Sequence, residues 1–182
     1  MYNQICGYFQ SLYRDIPMIV YEGMLLVFLL GVISILLYDK KDKGRRRKIS
    51  GLLIIEYVFL LCCSMVIFRT HFDSIGHHFT PFWSYMAIIE GRYELLAENL
   101  MNVVVFIPLG SLLGIYIYRI KWWKIFIFGF CCSIGIESLQ FYYQTGYAET
   151  DDVIHNTLGC MIGYGIYALA RYGYERLIHI HG

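Results

Sequence analysis

Net charge is what this 182-residue chain most plainly lacks. Fifteen basic side chains stand against 14 acidic ones, a formal +1, and charged residues make up only 16% of the sequence. Such a chain has no broad positive field to attract a polyanion, which excludes nucleic acid as a partner. Cysteine occurs six times but never as Cys-x-x-Cys, so no zinc or disulfide framework is encoded. All but Cys6 fall in apolar runs, where a thiol behaves as a small hydrophobe. Linkers, low-complexity stretches and internal repeats are also missing. The chain therefore reads as one domain over residues 1–182, without the inverted repeats of many transporters.

What the sequence has in abundance is apolar surface. Hydrophobic residues reach 58%, well above the usual 45–50% of soluble domains, and 17 tyrosines suit the interfaces of a bilayer. Five stretches approach the ~20 apolar residues that a membrane helix requires. They run over residues 18–38, 49–68, 100–118, 122–143 and 153–170. A sixth patch, residues 79–89, is too short to span and carries Pro81 near its start, which predicts an interfacial or re-entrant segment. The fold class expected is all-α: a polytopic membrane protein of about five transmembrane helices plus that short segment.

The first apolar stretch is not a secretion signal by its flanks. It has no basic stretch before it and no small-residue cleavage site, and seven positive charges follow it between Lys40 and Lys48. Arg119, Lys121 and Lys124 fill the loop between spans three and four, while Arg171 and Arg176 follow span five. Only Arg14, Arg69 and Arg92 fall on the other side, a 12 to 3 division. The positive-inside rule then places the N-terminus outside and the C-terminus in the cytoplasm.

Against this background a few polar residues stand out. Glu137 and Gln140 lie inside span four; Asp151, Asp152, His155 and Asn156 open span five; Asn102 begins span three. Ionisable groups in a bilayer cost ~2.5–3.5 kcal/mol or more each and mark functional sites by default. Glu137 is 13 residues beyond Lys124, about 20 Å from the inner edge at 1.5 Å per residue. Gln140 shares its face, and Asp152, His155 and Asn156 form an i, i+3, i+4 stripe. Three helices thus bring polar groups to one outer level. Gly110 and Gly114, and Gly159 and Gly163, form GxxxG pairs that allow close helix approach, with Gly135 beside Glu137. Pro108 predicts a kink in span three that neighbouring groups must repair. Glu56, about 12 Å into the inner half, is too deep to join the cluster and is expected to bond a neighbouring helix.

These residues also carry a resemblance. Asn102, Phe106, Pro108 and Gly110 follow the pattern N-x-x-x-F-x-P-x-G. Ser133, Glu137 and Gln140 follow S-x-x-x-E-x-x-Q, and Asp151, Asp152, Asn156, Thr157 and Gly159 follow D-D-x-x-x-N-T-x-G. The three elements, in this order over residues 68–167, resemble VanZ-like membrane proteins, as does the Thr80-Pro81-Phe82 loop. The resemblance implies a bacterial cytoplasmic-membrane protein of the cell envelope, of a family named for resistance to the glycopeptide teicoplanin. Many members carry an arginine before the acidic pair, where this chain has Gly146-Tyr147-Ala148-Glu149. A site cation is absent, or comes from Arg69 or Arg92.

Two uses of the cluster follow. In one, an outward-facing pocket of spans three to five binds an envelope molecule with a polar head and a lipid tail, through Asn102, Gln140, Asp151, His155 and Asn156. In the other, an intramembrane enzyme modifies a lipid-linked substrate with Glu137 and Asp152 as its acid–base pair. The bland alternative is a buried hydrogen-bond network tying the spans together. No cofactor and no metal is expected, His77 and His78 reading as solvated loop residues. The partners expected are membrane lipids, a lipid-linked or lipidated small molecule and, as a further class, a second copy of the chain.

Overall fold

A computed structural model describes residues 43–67 and 76–181, together with positions 26, 29 and 33 of the first apolar stretch, which are helical and exposed. The rest of that stretch, Cys6, Arg14, Lys40, Lys41 and Arg69 lie outside the described residues. Helix α1 runs Lys43–Cys62 and ends in a π-helical turn, Cys63–Ile67; α2 is the short Trp83–Ile89. Helix α3 covers Glu94–Tyr116, α4 Trp122–Tyr143 and α5 Thr150–His181. Two two-residue strands, β1 (His77–His78) and β2 (Ala148–Glu149), pair in parallel, with His77 opposite Ala148 and His78 opposite Glu149. Among the described residues four segments are long and apolar enough to cross a membrane: Gly44–Val66, Glu94–Tyr116, Trp122–Tyr143 and Thr150–Arg176. The architecture is all-α and polytopic, and the patch at residues 79–89 supplies only the seven-residue α2.

The apolar runs locate the spans but not the helix ends. Helix α3 starts at Glu94 rather than near residue 100, because its first turns are polar yet still helical. Glu94 in the first turn favours the positive end of the helix dipole. Asn102 therefore sits about 12 Å along α3 instead of at its outer end. Helix α4 stops in a Schellman motif: Thr145 donates its amide to the Gln140 carbonyl (3.0 Å) and Gln144 to Phe141 (3.3 Å), with Gln144 in the left-handed region at φ 55°.

Helices α3 and α5 make the most extensive contact, and α4 and α1 pack on either side of that pair. The core between them holds Phe106, Leu109, Leu113, Ile125, Ile136 and Cys160, with Leu61 and Val66 from the α1 end. The glycines set the spacing. A Cβ on Gly110 would strike the Cys160 carbonyl, one on Gly159 the Val103 carbonyl, and one on Gly163 the Ile107 carbonyl. At Gly114 it would enter the Tyr167 ring. Gly135 differs from the expectation, since a Cβ there would meet open space and no helix approaches it. At Pro108, which leaves α3 continuous, Tyr57 of α1 donates its hydroxyl to the Val105 carbonyl (2.7 Å) in the turn where the proline cannot donate.

The two ends of this bundle differ in charge. At one end the Arg47 guanidinium lies 5.3 Å from the centre of the Tyr116 ring and Arg171 lies 5.5 Å from that of Tyr118. Tyr118 also donates to Glu175 (3.1 Å). The start of α1, the α3–α4 turn and the end of α5 therefore share one basic face. The other end gathers the π turn, both strands, α2, the starts of α3 and α5 and the end of α4, with Arg92 as its described cation.

Gly159→Ala should lower the thermal midpoint in lipid nanodiscs, by the ~1–3 kcal/mol of an overpacked core or more, because the obstacle is backbone. Gly135→Ala should be neutral or raise stability by ~0.5–1 kcal/mol, as expected in an open helical position. Equal effects of the two would contradict the proposed spacing.

Candidate functional site

The polar residues at the end opposite the basic face divide into three groups. In the first, Asp151 on the opening turn of α5 holds α2. Its carboxylate accepts the Phe82 amide on one oxygen, and the Ser84 amide (2.9 Å) and hydroxyl (2.6 Å) on the other. Ser84 accepts in turn from Asn99 of α3 (3.0 Å). Phe82 takes the left-handed conformation (φ 64°) that turns its amide toward the acid. One turn along α5, His155 meets the Tyr85 hydroxyl through Nε2 at 2.8 Å, and its buried Nδ1 has no partner among the described residues. Asp151 thus commits both oxygens to fixing a short helix, a use the sequence did not suggest.

The second group ties helix to helix. Asn156, fully buried, donates to Ser133 of α4 (2.8 Å), and Gln140 donates to the Met65 carbonyl in the π turn (3.0 Å). The amide oxygens of both are buried without a partner among the described residues. Asn102 is half-buried on α3 and makes no side-chain hydrogen bond among the described residues. Glu56, half-buried on α1, likewise makes neither a hydrogen bond nor an ion pair there, contrary to the helix partner expected for it.

The third group lines an open cleft of about 300 Å³ between α4 and α5. Ile134, Glu137, Ser138 and Phe141 come from α4, Thr150 and Val153 from α5, with Phe79, Ala148 and Glu149 completing the wall. Helix α3 contributes nothing to this lining, so the cleft belongs to spans four and five rather than to three spans. Glu137 is 5% exposed and accepts the Glu149 amide at 3.1 Å. The second carboxylate of the cleft is that of Glu149, in the place where sequence reasoning had put Asp152. Asp152 is half-buried beside it.

Burial pushes the Glu149 carboxyl up to about 8 from its ordinary 4.5, and the negative charges of Asp152, Glu98 and Asp151 push the same way. The Trp83 indole opposes them weakly, near the carboxylate but without a well-formed hydrogen bond. At neutral pH Glu149 is therefore mostly a protonated acid beside Glu137. The indole carries His78 on one contact (4.0 Å between centroids) and the Arg92 guanidinium on another (5.5 Å). Arg92 consequently packs on an aromatic ring and forms no ion pair with these acids among the described residues; Arg69 lies outside them. His77 and His78 are exposed in β1, stacked on Phe79 and Trp83.

Sequence reasoning missed Ser84, Asn99, Tyr85, Ser133 as a partner, and Glu149. The available signal was the requirement that a buried acid find donors, which a helix start two residues past a proline can provide.

Comparison with known proteins bears on the same residues. The VanZ/LLP1 family model matches residues 24–171. Protein VanZ of Enterococcus faecium is 36% identical over 104 residues, 57% of this chain and 58% of that protein. The match thus spans little more than half the length of that relative. No solved structure matches.

Asp151→Ala should lower stability by about 3 kcal/mol or more, since each hydrogen bond to a charged group contributes ~1.5–3 kcal/mol. Hydrogen exchange at the Phe82 and Ser84 amides should accelerate with it, and unchanged exchange would show that α2 is held elsewhere.

Proposed function

The chain belongs to the VanZ/LLP1 family, and from that premise we propose that its α4–α5 cleft binds a lipid-tailed envelope molecule and so contributes to glycopeptide resistance of the teicoplanin type. The observation carrying this reading is the cleft itself: two carboxyl groups and two hydroxyls at an otherwise apolar opening between helices long enough to cross a membrane. Its volume, about 300 Å³, lies at the small end of ligand sites. It suits one small polar group with its adjoining chain, and a bulky glycopeptide would remain outside.

Sidedness follows from charge. The segments carrying most of the basic residues meet at one end of the bundle, so the positive-inside rule directs that end to the cytoplasm and the cleft outward. With this orientation the N-terminus is outside and the C-terminus is cytoplasmic. A membrane-impermeant maleimide should label Glu90→Cys in intact bacteria and Lys121→Cys only after lysis. The reverse pattern would invert the protein.

A second reading uses the same cleft as an intramembrane enzyme acting on a lipid-linked substrate. The Glu149 carboxyl, pushed up to about 8 beside the Glu137 side chain that accepts its amide, favours it, because an acid that holds its proton near neutral pH can act as a general acid. Extracted lipids and wall precursors distinguish the two: a new or missing species on expression indicates an enzyme, unchanged chemistry a binder. In either case Glu137→Gln, and Ser138→Trp which fills the cleft, should return teicoplanin sensitivity toward that of cells lacking the protein at matched abundance. The expected loss is roughly ten- to a hundredfold in affinity for one charge-assisted contact. Full protection in both variants would remove the cleft from the explanation.

A further inference from the structure

We propose that the α4–α5 cleft selects amphiphiles with a cationic, amine-bearing head group and rejects those with an anionic phosphate head. This rests on the cleft being the binding site and adds the charge of what enters it. The polar lining is Glu137, Ser138, Glu149 and Thr150, with no lysine, arginine or histidine among the residues that form it. Beyond the lining, further acids face Glu149: Glu98 from α3 and Asp151 and Asp152 from α5. The nearest described cation at this end, Arg92, is engaged on the Trp83 ring. Before the acidic pair, the segment Gly146-Tyr147-Ala148-Glu149 brings a further carboxylate and no cation.

The remaining walls are apolar. Phe79, Ile134 and Phe141 are exposed along the opening, so an alkyl chain can lie against them while its head reaches the acids. A phosphate head would carry negative charge into a site already holding several like charges, with no donor cation to offset desolvation. An ammonium reverses each of those terms. It supplies up to three donors to acceptor-only carboxylates, and its attraction is strengthened by the low-dielectric surroundings.

Proton linkage gives the proposal a second readout. Glu149 is protonated in the empty cleft up to about pH 8, so cation binding below that pH must expel a proton. Affinity should therefore rise close to tenfold per pH unit below about 8 and level off above it. The groups facing Glu149 are Glu98, Asp151, Asp152, the Glu137 carboxylate that accepts its amide, Trp83, and His78 opposite it in the strand pair.

The test is equilibrium binding of radiolabelled dodecylamine and dodecyl phosphate to the full chain in phosphatidylcholine nanodiscs between pH 6 and 9, with empty discs subtracted. Dodecylamine should saturate and dodecyl phosphate should not exceed background. Glu149→Gln should weaken amine binding roughly tenfold or more and flatten its pH dependence. Val153→Trp, which fills the cleft without touching a charge, should abolish amine binding while the protein elutes as the wild type does. Saturable phosphate binding as tight as that of the amine would overturn the charge selection yet leave the cleft as a lipid site. Amine binding that persists in Val153→Trp, or keeps its pH dependence in Glu149→Gln, would place the amine elsewhere and overturn the proposal. Absence of saturable binding by either probe would overturn both this proposal and the binding function of the cleft.

Discussion

Everything at the polar end depends on how closely two backbones approach. Lipid tails are as apolar as leucine, so inside a bilayer no hydrophobic force drives α3 against α5; packing and interhelical hydrogen bonds must do it. Gly110, Gly159 and Gly163 bring each helix against the other's carbonyls, and Ser111 adds a hydrogen bond to Gly163 (2.9 Å). This contact sets the opening turn of α5 beside the upper part of α3, where Asn99 and Asp151 can share Ser84. Helix α4 joins the pair at Gly129, close to Cys160. The cleft is the space left between α4 and α5 beyond that contact, toward the strand pair.

The buried polar groups serve two different ends. Asp151, Asn156 and Gln140 are largely consumed in holding α2, α4 and the π turn in place, each bonding across elements far apart in sequence. Glu137 and Glu149 instead border open space. A network and a pocket thus coexist at one level, and the residues that repeat in the family pattern are divided between them. The divided roles explain why substitution of these residues would have mixed consequences, some on folding and some on binding.

Much of this was legible in the sequence because the bilayer imposes simple rules. Span length gave the helices from residue 49 onward, and GxxxG spacing marked spans three and five as able to pack closely, which the α3–α5 contact uses. Depth counting set Glu137, Gln140, Asp152, His155 and Asn156 at one level, with Asn102 beside them. What escaped lies where those rules do not reach. Apolar counting cannot see that a polar turn such as Glu94–Asn99 remains helical, and so it misplaced Asn102. Ser84 and Tyr85 are 67 and 70 residues from their partners and sit on a helix of only seven residues, too short to show periodicity. Glu149 reads in the sequence as an ordinary loop acid; its role comes from a two-residue strand pair that no pattern announces. Gly135 shows the opposite error, a small residue with no neighbour to admit.

The strand pair has a mechanical meaning as well. Residues 76–84 run without interruption from β1, through the Phe79 wall of the cleft, to the amides clamped by Asp151. Thr150 adds a bond from its hydroxyl to the Phe79 carbonyl (3.2 Å). One short length of chain is therefore both the rim of the cavity and the strap that fastens α2. Widening the cavity at Phe79 requires the strap to peel from β2 or to drag α2 off its anchor, so the cleft and the interfacial helix can only rearrange as a single body.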